Sequence, residues 1–345
     1  MLQTANSRDV GLDVVRALAI VLVLVIHSAS AGLTMQPGSF DWWSALAWGS
    51  IARPAVPLFF MCSGALMLCR DITPKRLLTH NLPRILIAMY FWGVLYHIYG
   101  LGRELTLAAL WDAVKRTVLL QHEFHFYYLH ILLLVYAFLP AVRVFVRGAS
   151  RRELRYLLGL WFVTGILLPL LRFYWPFTLI APIESRYIMN MSYAAIGYAV
   201  LGYYLRRYGG TVRRLWYHAA LWGGLAFTFA GCAVTSLQAG ALNVNFLEGM
   251  SPGPMLMALG LFGLILNRKE WPGPMVRVTG RLARAAFCIY LVHVFFLYAF
   301  PRFGINSGVS PCALTIPATA LLMLALSWLV WEALHRIPVV KTYLV

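Results

Sequence analysis

The sequence predicts an all-α integral membrane protein, a bundle of about ten transmembrane helices. Three observations carry this. Of 345 residues, 61% are hydrophobic and only 12% are charged. The mean hydropathy is +0.73. Apolar runs of roughly twenty residues, the length that crosses a bilayer as a helix, recur along the whole chain. No soluble domain of this size needs so much apolar surface. The net charge of +17 points to Lys and Arg held on cytoplasmic loops, not to a nucleic-acid partner.

Breaks at Gly, Pro and charge clusters set spans near 12–33, 45–68, 83–102, 125–145, 156–175, 187–205, 216–238, 251–267, 284–302 and 312–334. The first begins like a secretory signal: Arg8 and Arg16 flank an apolar core, and Ala29-Ser30-Ala31 imitates a cleavage site. Nine further apolar segments follow, and residues 12–33 are read as a retained span. Between spans three and four, residues 103–124 are too charged to cross; their apolar spacing fits a helix lying on the outer membrane surface. With the N-terminus inside, twenty of the 29 Lys and Arg residues fall on the cytoplasmic side. Six (Arg103, Lys115, Arg116, Arg172, Arg186 and Arg302) fall outside, and Arg16, Arg53 and Arg84 belong to spans. This bias predicts cytoplasmic N- and C-termini. Residues 1–345 read as one domain, with no soluble domain, long linker or clear internal repeat. The five cysteines show no metal spacing and suggest no disulfide framework.

Ionisable residues inside the first span are the sharpest functional signal. Asp13, Arg16 and His27 interrupt LDVVRALAIVLVLVIHSASA. Arg16 and His27 share a helix face roughly 16 Å apart along the axis, and Asp13 lies on that face one turn below Arg16. A charge at mid-bilayer costs about 2.5–3.5 kcal/mol on insertion scales, so such groups face a protein interior or a water cavity. A plain ion pair beside a packed polar histidine is the alternative. Arg84 at the inner end of span three and Arg53 in span two add further intramembrane cations; His293 falls mid-way along span nine. Glu123, His125, Tyr127 and Tyr128 gather where the surface segment meets span four. Basic groups at an inner mouth suit a phosphate-bearing ligand. A histidine in a protected cavity suits a general base. No Gly-rich nucleotide loop, H-E-x-x-H or G-x-S-x-G motif is present, so neither a metal nor a soluble-type cofactor site is expected.

Asp13-Val-Val-Arg16 followed by ten residues and His27 resembles the opening signature of the membrane acyltransferase-3 family. Arg53-Pro-Ala-Val-Pro-Leu-Phe-Phe-Met-Cys-Ser-Gly64 resembles its V-P-x-F-F-x-x-S-G run. Pro83-Arg84-Ile85, His125-Phe-Tyr-Tyr-Leu129 and Ile289-Tyr-Leu-Val-His293 are similar to later motifs, in the same order. The nearest branch by these motifs is the WecH-type O-acetyltransferases of bacterial surface polysaccharides; Tyr127 departs from a Trp common there.

The resemblance implies a multi-pass enzyme of the bacterial inner membrane, moving an acetyl group from cytoplasmic acetyl-CoA to a sugar hydroxyl of a surface or lipid-linked glycan. His27, Arg53 and Asp13 are then the catalytic candidates: His27 as general base or acyl carrier, Arg53 on the developing oxyanion. Arg16, unless locked to Asp13, and Arg84 would hold the CoA phosphates. Glu123, His125, Tyr128, Tyr290 and His293 would shape the acceptor site. Ser63 is read as a small residue for helix contact beside Gly64. The rival classes are a transporter or flippase, with the same polar residues as its path, and a polyprenyl-dependent glycosyltransferase.

Overall fold

The computed structural model describes residues 9–71, 73–102, 104–180 and 186–344. Arg8 and Arg103, used in the charge count, lie outside the described residues. Among these residues every regular element is helical. In chain order they are α1 (Val10–Leu33), α2 (Phe40–Ala52), α3 (Ala55–Met67), α4 (Pro74–Leu101) and α5 (Leu107–Val118). Then come α6 (Tyr127–Gly148), α7 (Arg151–Leu171), α8 (Met191–Tyr208) and α9 (Arg214–Ala239). The last are α10 (Pro252–Leu266), α11 (Gly273–Ala299), α12 (Cys312–Leu334) and the short α13 (Pro338–Tyr343).

Nine membrane-length apolar helical segments occur among the described residues. The chain is a polytopic helical membrane protein. The expected sixth span is α8, which is not among the nine. It carries Arg206 and Arg207 in its last turn, and Ala194, Ala195, Tyr198, Ala199 and Gly202 are buried inside the bundle. A helix packed against protein need not be apolar all round.

α1 sits at the centre, packed by α2, α3, α10, α11 and α12. Asp9 caps it by accepting from the Leu12 amide, and pairs with Arg206 of α8 at 3.0 Å. α3 and α8 pack backbone against backbone. A Cβ on Gly64 would stand 1.9 Å from the Ala199 carbonyl oxygen, and one on Gly202 would stand 2.0 Å from that of Met61. Only glycine permits the two backbones to meet so closely. Ser63 does not make this contact; its hydroxyl donates to Phe59 O at 3.1 Å.

Two expected spans change shape. The second is broken at Arg53-Pro54 into α2 and α3, a break of the kind proline imposes. The ninth begins eleven residues earlier than expected, because Arg277 and Arg281 lie on the first turns of α11 and not in a loop. The surface segment forms α5. Ala113 and Thr117 face the bundle, while Leu107, Trp111 and Val118 are 86%, 69% and 62% exposed. That outward apolar stripe is the geometry of a helix seated in a bilayer surface.

Candidate functional site

A cavity of about 650 Å³ opens at the end of the bundle where α1 begins. Its size lies within the range of small-molecule sites. The mouth carries Arg16, Arg84, Arg284, His335 and Lys341; the walls carry Phe59, Ser63, Tyr136 and Trp331; Tyr128 and Tyr290 also line it. The two tyrosine rings meet edge to face, 5.3 Å apart.

Helical periodicity builds these surfaces. Arg284, Phe287, Tyr290 and His293 follow one another at intervals of three along α11, from the mouth toward the histidines. Tyr128, Leu132 and Tyr136 repeat at four on α6. Trp331 on α12 and His335 at its C-terminal cap are four residues apart, their rings stacked 4.3 Å apart at 10°. The C-terminal α13 brings Lys341 to the mouth; just beyond it, Leu344 O accepts from the Trp92 indole at 2.9 Å.

Both expected phosphate-binding arginines line this mouth. Arg16 donates to Ala283 O at 3.0 Å and approaches Asp13 at 3.7 Å, so part of its five-donor guanidinium is engaged. Arg84 stands over the Phe287 ring at 5.5 Å. Asp13 is paired here with Arg16, fourteen residues below His27 on the same helix. It does not join the histidine group.

Next to Tyr290 stand three imidazoles. The ring of His293 lies 5.0 Å from that of His27 and 5.2 Å from that of His125; His125 lies 5.6 Å from Tyr290. His293 is fully buried and His125 is 1% exposed. Neither His125 nitrogen has a hydrogen bond of good geometry, and His293 Nε2 has no partner. His27 is half-buried, with Phe124 edge-on to it at 5.4 Å. Phe124 is itself 51% exposed, so this face is the approach to His27 from the far end.

Arg53 sits at the α2–α3 break, within electrostatic range of His27, Tyr127 and Glu248. Its Nε is buried with no hydrogen-bond partner. An unsatisfied buried guanidinium N–H is a donor in search of an anionic oxygen.

The expected acceptor group divides. Glu123 accepts from the Tyr298 hydroxyl at 2.8 Å at the rim. Tyr128, expected at the far mouth, turns inward to the cavity with 8% exposure, whereas its neighbour Tyr127 is exposed. His125 is likewise carried inward, because residues 124–126 form a tight 3-10 turn before α6. At the end of the bundle away from the cavity mouth His122 approaches His130 at 3.2 Å, and burial, then His130 and His97, bring the His122 imidazole down to about 4. Arg284, Tyr136, Trp331, His335, Lys341 and Glu248 were not anticipated. For α11 the signal was present in the three-residue interval from Arg284 to His293.

A family model described as an acyltransferase domain, that of the acyltransferase-3 family, matches residues 9–332. No curated protein matches, and no solved structure matches. A match over nearly the whole helical bundle, embracing Arg16, Arg84 and Arg284 of the mouth, the two tyrosines and the imidazoles, means that this chain belongs to the acyltransferase-3 family of membrane acyltransferases.

Proposed function

We propose that the chain is an O-acetyltransferase that takes acetyl from cytoplasmic acetyl-CoA and passes it to a sugar hydroxyl of a surface or lipid-linked polysaccharide, in the bacterial inner membrane with both termini cytoplasmic. The observation that carries this reading is the cavity itself. It has cations at its open end and leads toward Tyr128 and Tyr290, beside the imidazoles. That shape suits a donor with phosphates at one end and a thin thioester arm at the other. Arg16, Arg84, Arg284 and Lys341 hold the phosphates, and the arm runs along the cavity to Tyr128 and Tyr290, in the direction of His27.

A sugar hydroxyl is a weak nucleophile at neutral pH. His27 removes its proton as the oxygen bonds to the acyl carbon, and the Arg53 N–H meets the oxyanion. The C–S bond then breaks, and the proton returns from His27 to the thiolate, which leaves as CoA. The acceptor approaches past Phe124, Tyr127 and Glu248 from the end opposite the donor. Aromatic rings beside a polar tip suit the alternating apolar and hydroxylated faces of a sugar.

The test uses sealed, oriented vesicles with labelled acetyl-CoA supplied on the cytoplasmic face and a panel of membrane-impermeant glycans held on the other. Labelled O-acetyl glycan outside, absent with His27→Ala, is the expected result. Acetylation only of acceptors placed on the cytoplasmic face overturns the cross-membrane route. Glycan translocation with no acetyl transfer overturns the enzyme reading.

A further inference from the structure

We propose that His293 is a positioning residue for His27: its Nε2 accepts a hydrogen bond from one ring nitrogen of His27 and leaves the other bare to take the acceptor proton. The proposal rests on the reading of His27 as the base.

The orientation of His293 settles its tautomer. Its Nδ1 lies 2.7 Å from Tyr290 O and 3.2 Å from Ile289 O. Carbonyl oxygens only accept, so Nδ1 carries the hydrogen. A second proton would place an unpaired charge in a fully buried site, so the ring is neutral and Nε2 holds a lone pair. That lone pair has no partner. Buried acceptors without partners are rare enough in folded proteins to need a reason.

The ring spacing supplies the reason. His122 and His130 give an internal yardstick: with nitrogens 3.2 Å apart, their ring centres stand 5.2 Å apart. His27 and His293 stand at 5.0 Å, tilted by 38°. The ring-centre distance is that of a hydrogen-bonded pair; the proposed bond, not formed in this structure, requires the His27 ring to turn one nitrogen toward Nε2. His125, at 5.2 Å, is a competing donor to the same lone pair. His27 is the partner that matters chemically, because it alone of the two is partly exposed and lies within electrostatic range of Arg53.

The bond does for His27 what a carboxylate does for the histidine of a hydrolytic triad: it selects one tautomer and one ring orientation. Without it either nitrogen can carry the hydrogen, and only one of these forms is a base toward the acceptor. His293 gains or loses no proton in the cycle; the hydroxyl proton travels to His27 and then to the thiolate.

Two measurements test this. In protein carrying ¹⁵N-labelled histidine, NMR should show His293 protonated at Nδ1 and His27 in a single tautomer, becoming a mixture in His293→Phe. His293 protonated at Nε2, or a His27 tautomer unchanged in the variant, overturns the proposal. In steady-state transfer, His293→Phe should lower kcat by about 10²-fold with both KM values within about twofold. His293→Gln, whose side-chain oxygen accepts where Nε2 did, should recover at least about tenfold of that loss. Unchanged kcat in the Phe variant, or equal losses in Phe and Gln, overturns it. If wild-type protein transfers no acetyl group, the functional reading fails, while the NMR arm still decides the tautomer.

Discussion

The Tyr290 hydroxyl donates its hydrogen to the backbone carbonyl of His125. One side chain of α11 thus lines the cavity and also anchors the turn that leads into α6. Tyr290→Phe keeps the ring and removes this bond, while the His125 carbonyl retains the Tyr127 amide. A loss of about 0.5–1.5 kcal/mol of stability is expected, read as a lower unfolding temperature, together with a fall in kcat as the imidazole group loosens. A variant with wild-type stability would show that the bond holds nothing in place.

Arg84 and Arg284 share the cavity mouth. Replacing either with Ala should raise KM for acetyl-CoA by the equivalent of roughly 1.5–3 kcal/mol and leave KM for the acceptor nearly unchanged. The same split should appear with Lys341→Ala, on the element that lies beyond the matched residues 9–332. A larger change in acceptor KM would place the donor elsewhere.

The α3–α8 contact gives a test of packing. A Cβ on Gly64 meets main chain at 1.9 Å, whereas one on Gly100 meets nothing within 4 Å. Gly64→Ala should force the helices apart and cost about 1–3 kcal/mol, as overpacking does. Gly100→Ala should be neutral or slightly stabilising, since Ala is the better helix former. Unfolding midpoints in one detergent compare the two directly.

His122 lies outside the spans, and its pKa falls from 6.5 to about 4 on folding. Between those values the unfolded chain binds a proton that the folded chain does not. Stability therefore declines as pH falls from 6.5 toward about 4, and this contribution stops changing below that. His122→Asn should show a shallower decline over the same window and run parallel to wild type above about pH 7. Identical slopes would show that His122 takes no part.

What was legible beforehand follows from physical range. The fold class was plain because bilayer thickness imposes a run length on every span. Arg16, His27 and Arg84 were legible because an ionisable group inside such a run is costly wherever it falls. The inward turn of Tyr128 was not, because a short 3-10 turn decides which way residues 125–128 face and leaves no periodic trace. Trp331, His335 and Lys341 were also hidden. Their place at the mouth depends on helices distant in sequence meeting α1, and local pattern does not encode that meeting. α8 is a helix where its sequence predicts one; its buried face packs inside the bundle, and Arg206 of its last turn pairs with Asp9.

α1 carries Arg16 near one end and His27 near the other, in a single helix of 24 residues without an internal proline. A straight helix keeps its length, so the spacing between the two is a built-in ruler. Under the proposed reading, a donor is selected by how far its thioester stands from its phosphates. Truncated thioesters that bear the same acetyl group but lack that reach would stop short of the imidazole. Discrimination against them would come from the backbone of α1, with no side chain needed to reject them.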